Sequence, residues 1–429
     1  MLRGSNYILI GLLAFTLLVG SVPPLAGRSN AQSRLDELRA QIGSRSSEIK
    51  KLEQEINVLN NSLADTAKQS NTLKGELDRL NSINKKLSTD IKVTEQKVAQ
   101  TVLVIEKLGL EIGGKETDIG KSIQSLGEAM RILREAGSYS LMEVMLSQEN
   151  LSEFWLEQDR LRQVEAGIHE SMEALRRTRN GLKIDQGVAE SEKQELQTLR
   201  ARLADQKQIN DQNKETQREL LAQTQNEEAG YRKLIASRQV QKAAFARELA
   251  AFESELKLAI DFSKLPDQGT TPLIWPLENV FITQRFGRTA DSVRLYASGT
   301  HNGVDFRASV GTPIWSAASG MVVASGDTDL VCPKASYGRW VLVKHNNGLS
   351  TLYAHLSLIK VVAGQNLAAG QLVGYSGNTG YSTGPHLHFT VYASDGVQVK
   401  QLKSKVCRGT YTMPIADPKA YLDPLLYLG

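Results

Sequence analysis

The sequence predicts a multidomain protein in which a long α-helical antiparallel coiled coil precedes an all-β, sandwich-like domain. Two observations carry that expectation. No proline occurs between Pro24 and Pro266, yet eight occur from Pro272 onward; proline inside a helix removes a hydrogen bond and clashes with the preceding turn, so its absence marks uninterrupted helix. Over the same span apolar residues recur every seven positions, whereas from Leu273 they alternate in short runs separated by glycine turns. A chain of 429 residues is also too long for one ordinary core.

The chain opens with Arg3, an apolar run from Ile8 to Gly20, the helix breakers Pro23 and Pro24, and then small residues. This is the layout of a signal peptide over residues 1–31, with Ser29, Asn30 and Ala31 as a small-x-small cleavage site; the rival is an uncleaved membrane anchor through residues 8–26. Either reading puts the remainder outside the cytoplasm, in the periplasm, at the cell envelope or secreted. The balance of 51 basic against 47 acidic side chains, net +4 and interspersed, creates no single-sign field that would indicate nucleic acid.

The coiled coil is expected over residues 32–258. Steps of seven from Leu35 give Ile42, Ile49, Ile56, Leu63, Ser70, Leu77, Asn84, Ile91, Val98, Ile105 and Ile112, accompanied three residues later by Leu38, Leu52, Leu59, Leu73, Leu80, Leu87 and Leu108. Such heptads describe a coiled coil, and the lone Asn84 in the seam fixes register. The pattern breaks at 136–156 and resumes at Leu161, Ile168, Leu175 and Leu182, which suggests two arms folded back on each other. The apolar patch between them, with Leu141, Val144, Met145, Leu146, Phe154, Trp155 and Leu156, reads as a helical cap closing the hairpin or as a docking surface for a membrane partner. Phe245, Leu249, Phe252 and Leu256 form a stripe at four-three-four spacing that either completes the coiled coil or lies against the next domain and restrains it. A breaker-rich linker at 259–272 leads to the β domain, 273–429, where "VKHNNGLSTLY" reads as a hairpin turning at Asn346, Asn347 and Gly348.

Five of the six histidines lie in this last region: His301, His345, His355, His386 and His388. Residues two apart on a strand share a face, so "PHLHF" sends His386 and His388 to one side and Leu387 and Phe389 to the other. "THNGVDFRAS" places His301 and Asp305 four apart, and His355 ends the run "LYAHLS". A catalytic zinc site keeps three protein ligands and an open fourth position for water. His301, Asp305 and one histidine of the close pair meet that need, leaving two histidines for proton transfer or oxyanion stabilisation. His169, within the heptads, and His345, beside a turn, read as ordinary surface or core side chains. Cys332 and Cys407, the two cysteines of the chain, favour one disulfide in an exported protein.

"HNGVDF", "YAHLS" and "GNTGYSTGPHLHF" together resemble the three signature segments of the lysostaphin/LytM zinc peptidases, enzymes that cut peptide cross-links in bacterial peptidoglycan. The resemblance spans about residues 273–400. It implies one Zn2+ per chain held by His301, Asp305 and His388, with His355 and His386 as the catalytic pair and peptidoglycan peptides as substrate. The choice of His388 over His386 as ligand comes from the resemblance, since spacing leaves both open. The overall plan is similar to the EnvC-like murein hydrolase activators, whose coiled coil implies docking to a division-associated membrane permease and a role in wall remodelling or daughter-cell separation. Those activators have lost metal ligands, whereas this chain keeps the full set, so the non-hydrolytic activator or scaffold is the alternative and not the first expectation.

Overall fold

The computed structural model describes residues 26–66, 72–136, 151–225, 227–255, 258, 260–289, 292 and 299–429. The apolar run at 8–20, most of the expected cap (137–150), Leu256 and part of the segment before His301 lie outside them. Among the described residues four helices come first: α1, Ala26–Thr66; α2, Leu73–Ala136; α3, Leu151–Thr224; and α4, Glu228–Glu255. Among the described residues no helix is long and apolar enough to cross a membrane. The chain divides into two compact units, Met1–Glu48 with Lys97–Thr198, and Ile49–Gln96 with Leu199–Gly429.

In the first unit α1 lies along α2, with Arg34 Nε donating to Glu106 Oε1 at 2.9 Å and Gln100 Nε2 donating to Ile42 O at 3.4 Å. Lys115 pairs with Asp185 of α3 at 2.7 Å. The seam residues Leu38 and Leu108 are buried, while His169 is exposed. Trp155 and Leu156, at the end of the expected cap, are also exposed.

In the second unit Asn84 Nδ2 donates to Gln217 Oε1 at 2.9 Å, and Glu95 pairs with Lys207 at 2.9 Å. Partner numbers fall on α3 as they rise on α2, so the two run antiparallel here. The first expected arm is two helices and not one: α1 ends at Thr66, α2 starts at Leu73, and Glu55 of α1 returns to Lys85 of α2. Between the two helices the sequence is polar from Lys68 to Asn71, and the heptad seam position there is Ser70.

The β region is built on one large sheet. Its main path runs β1 (Ile282–Gln284), β2 (Val304–Arg307), β9 (His386–Ala393), β6 (Leu349–Ile359), β5 (Arg339–His345), β4 (Gly320–Asp327) and β7 (Asn366–Leu367). β3 (Pro313–Trp315) pairs with β8 (Leu372–Ser376), which joins β6, and β12 (Tyr421–Leu422) joins β9. The expected hairpin is β5–β6, with Lys344 opposite Ser350 and Gly348 at φ +80°, a conformation glycine adopts without a Cβ penalty. A separate hairpin joins β10 (Val397–Ser404) to β11 (Gly409–Ala416).

Alternation along these strands gives the sheet two apolar faces. Val304, Phe306, Val341, Val343, Tyr353, Leu387, Phe389 and Val391 fill one core. Trp340, Leu342, Leu352, Ala354 and Tyr392 belong to the other, which is covered by Leu402, Tyr411, Met413 and Ile415 of the β10–β11 hairpin and by Phe245 of α4. Of the two readings of the α4 stripe, packing against the β region is therefore the one observed: Phe245 is 1% exposed, its ring is 5.1 Å from that of Tyr411, and Leu249 and Phe252 pack beside it. Glu248 fixes the hairpin to α4, accepting from Ser404 Oγ at 2.6 Å and from Lys405 N at 2.7 Å. Cys332 and Cys407 form a disulfide, with Cα atoms 5.3 Å apart.

Ile83, Leu87 and Ile209 form a second contact with the β region, packing on Val310 and Tyr375. Beside it Asp205 accepts from Lys360 Nζ at 2.8 Å and from Tyr375 Oη at 3.0 Å.

Candidate active site

On the face shared with Tyr392, the strand pair β2–β9 sets Asp305 directly opposite His388 and Arg307 opposite His386. This is the parity expected of "PHLHF": Leu387 and Phe389 point to the first core and are fully buried, leaving both imidazoles on the other side. His301 enters from the approach to β2, held by paired backbone hydrogen bonds with Gly287 at 2.8 and 2.9 Å. His355 follows Ala354, which lies opposite His388 on β6. All five sequence-selected residues thus meet, whereas His345 lies elsewhere, buried and bonded to Ser319 O and Thr351 Oγ1.

Three of them converge on one point. His301 Nε2 is 3.1 Å from His388 Nδ1 and 3.2 Å from Asp305 Oδ1, and His388 Nδ1 is 2.8 Å from Asp305 Oδ1. All three residues are buried, and each offers one ligand atom to a common centre. The donor chemistry fits a cation. His301 Nδ1 donates to Arg285 O at 3.0 Å, so its Nε2 carries a lone pair that faces the lone pairs of a carboxylate oxygen and a second imidazole. Ligands held about 2.0–2.1 Å from a tetrahedral zinc ion lie about 3.3 Å apart, close to these separations. Both imidazoles have a partner behind them, Arg285 O for His301 and Thr390 Oγ1, 3.0 Å from Nε2, for His388, the arrangement that orients metal-binding histidines.

His355 and His386 face each other at the edge of this centre, with ring centroids 4.7 Å apart. His355 Nδ1 donates to Thr379 O at 2.8 Å, and His386 Nδ1 donates to Gly384 O at 2.7 Å with Ser382 Oγ at 3.1 Å. Each keeps Nε2 unburdened by those contacts, and that of His386 is 3.6 Å from Asp305 Oδ2. One loop, residues 377–385, therefore orients both. His355 adopts φ +60°, a strained setting of the kind concentrated at functional sites, and its N donates to Tyr337 O at 2.9 Å.

Burial works against the Asp305 carboxylate, but the surrounding imidazoles of His386, His301 and His388 hold its pKa well below the usual range. Burial pushes the His355 imidazole well below its ordinary pKa, with His386 and His388 acting in the same direction. His388 is lowered by burial as well, against the opposing pull of Asp305. The site thus holds an ionised carboxylate beside two imidazoles, His355 and His388, pushed toward the neutral form, the protonation state in which imidazole binds a metal or accepts a proton.

Sequence reasoning missed the supporting groups. Arg285 O and Thr379 O are backbone carbonyls from distant segments and leave no residue-type signal. Thr390 was within reach, because it lies two residues past His388 on the same strand face. Two helical residues also touch the 377–385 loop: Lys242 Nζ of α4 sits 3.1 Å from the centroid of the Tyr381 ring, and Arg79 of α2 donates to the Asn378 amide oxygen at 2.9 Å in the amide orientation that satisfies its neighbours.

Residues 299–401 match the model of peptidase family M23. The DD-carboxypeptidase/endopeptidase Mpg of Neisseria meningitidis is 39% identical over 116 residues, covering 27% of this chain and 25% of that protein. The peptidoglycan DD-endopeptidase ShyA of Vibrio cholerae is 41% identical over 106 residues, covering 25% of this chain and 23% of that protein. Among solved structures, the catalytic domain of lysostaphin from Staphylococcus simulans aligns at 28% identity with a TM-score of 0.26, covering 34% of this chain and 90% of that one. The chain spans about a quarter of the length of the curated relatives it matches. The β region that carries the five converging residues contains a domain of peptidase family M23, the lysostaphin/LytM family.

Proposed function

We propose that this protein is an exported zinc endopeptidase that hydrolyses peptide cross-links of bacterial peptidoglycan, in wall remodelling or daughter-cell separation. The observation that carries the reading is the convergence of His301 Nε2, Asp305 Oδ1 and His388 Nδ1 beside two further imidazoles whose Nδ1 atoms are already occupied. His301, Asp305 and His388 would hold one Zn2+, which when bound polarises a scissile carbonyl and acidifies a water molecule. His355 and His386, their Nδ1–H groups anchored on backbone carbonyls, present Nε2 toward the reacting atoms. One takes a proton at Nε2 and returns it, and the other, when protonated at both ring nitrogens, donates from Nε2–H to the developing oxyanion. The names of the relatives, a DD-endopeptidase and a DD-carboxypeptidase/endopeptidase, support peptidoglycan peptides as substrate.

The layout supporting this function is an N-terminal signal or anchor over 1–31, helical arms in a coiled coil over 32–258, a linker at 259–272 and the peptidase domain at 273–429. Export follows from the apolar leader, and the helical arms are the surface for a division-associated membrane permease. Phe245 and Lys242 support a restraining role for α4, since one is buried in the β region and the other touches the loop that orients His355 and His386. Zinc-loaded full-length protein incubated with cross-linked peptidoglycan tests the reading. Release of peptides that stops in His355→Ala is expected, and release unaffected by that change would sink the catalytic assignment. Phe245→Ala is expected to raise turnover, and equal rates would count against restraint.

A further inference from the structure

One cation beside the catalytic face has no role in the chemistry above. Arg307 ends β2 two residues after Asp305, so its side chain leaves the sheet on the same face, and its register partner on β9 is His386. It is exposed, while Asp305 and His388 beside it are buried. Among the described residues it has no carboxylate partner; Asp305, two residues before it on the same strand face, is already engaged by His301, His386 and His388. Its guanidinium is instead held 4.2 Å from the centroid of the Phe281 ring, and its N donates to Phe281 O at 2.9 Å. That arrangement fixes the direction of the side chain while leaving its N–H fork unmatched.

A second unmatched donor lies on the next strand. An irregularity in β1 between Ile282 and Gln284 sets Gln284 opposite Asp305, and its side-chain Nε2 is buried without an acceptor among the described residues. Arg285 and Arg288, which follow it, are exposed and likewise without a carboxylate partner among those residues. The edge formed by β1 and β2 thus sets the guanidinium of Arg307 and the amide of Gln284, neither met by an acid among the described residues, next to a site read as cutting peptides.

We propose that Arg307 is a specificity residue that binds a carboxylate of the peptide substrate within a residue or two of the bond cleaved. The inference rests on the endopeptidase reading above. Guanidinium and carboxylate match as two parallel hydrogen bonds, which distinguishes a carboxylate from a carboxamide of the same shape. Stacking on Phe281 lowers the freedom lost when the substrate is bound.

The test uses the full-length zinc-loaded chain and synthetic cross-linked stem-peptide dimers in three forms: all carboxylates free, the C-terminal carboxylate replaced by carboxamide, and a side-chain carboxylate replaced by carboxamide. Wild type is expected to prefer the free acid over one of the two amides by about 10–100-fold in kcat/KM, the discrimination expected for a lost charge-assisted hydrogen bond. The arm that loses activity identifies which carboxylate is bound. In Arg307→Gln the ratio of acid to amide should fall toward one, with partial return in Arg307→Lys. Because the readout is a ratio within each variant, a general loss of active protein does not mimic it. Equal cleavage of all three forms by wild type, or discrimination that survives in Arg307→Gln, overturns the carboxylate site while leaving the endopeptidase reading intact. Absence of cleavage of every form by both wild type and Phe245→Ala overturns that reading and this inference with it.

Discussion

Replacing Glu253 by glutamine tests how α4 is held on the β region. The Glu253 carboxylate accepts from Tyr421 Oη at 2.5 Å, and its charge pushes the Tyr337 and Tyr392 hydroxyls up in the same direction as their burial. Burial raises its pKa from 4.5 to about 6, opposed by the hydrogen bonds from Tyr421 and the Ala416 backbone. A raised carboxyl pKa means that the packed state prefers the protonated acid. The associated stability is fully present below pH 4.5 and is lost as pH rises through 6. The shift corresponds to about 2 kcal/mol between the two limits, of which roughly 1 kcal/mol falls between pH 5 and pH 7.5. Glutamine keeps the shape and an acceptor for Tyr421 but carries no charge at any pH. Thermal unfolding of both proteins across pH 5, 6, 6.8 and 7.5 should show Glu253→Gln gaining on wild type as pH rises, by about 2–4 °C in Tm over that interval. A stability difference that stays flat with pH, or that narrows, would refute the argument that burial dominates this carboxylate.

Two further expectations concern the site. Thr390→Val removes the partner of His388 Nε2 and should lower zinc affinity by about 10–100-fold, measured by competition with a chromophoric chelator; unchanged affinity would show that the hydroxyl does not orient the imidazole. Gly380 adopts φ +64°, and a Cβ there would meet Ser336 O at 2.1 Å and the Gly338 and Tyr337 backbone within 2.6 Å. Gly380→Ala should therefore move the loop that supplies Thr379 O to His355 and reduce kcat by more than about tenfold with a smaller change in zinc content, and a wild-type kcat would contradict the positioning role of this loop.

Much of this arrangement was legible in the sequence because its periodicities are local. Proline distribution and heptads located the helices, and period-two alternation told which side of β9 carries His386 and His388. The same rules failed where the deciding partner is far away in sequence. Heptads continue in phase from Ile56 through Leu77, so they do not reveal that α1 and α2 are separate helices lying side by side; only the polar run around Ser70 hints at it. The α4 stripe has one spacing and two possible partners, and the hydrophobic surface of Tyr411 and its neighbours on the β10–β11 hairpin decides between them. His345 and His355 both sit at the edges of strands in the sequence, yet one is satisfied by Ser319 and Thr351 and the other turns toward His386. Residue type alone does not separate them, because backbone carbonyls such as Thr379 O and Arg285 O do the orienting.

The central claim, a zinc centre built from His301, Asp305 and His388 that cuts peptidoglycan peptides, is tested most directly by mass spectrometry of fragments released from defined cross-linked peptidoglycan. Wild type and Phe245→Ala are compared with zinc, with a chelator, and with His388→Ala introduced into each. Peptides with newly freed amino groups are expected from the zinc-loaded proteins and none after chelation or in His388→Ala. Release that persists in His388→Ala or under chelation, or no release by either zinc-loaded protein, would contradict it.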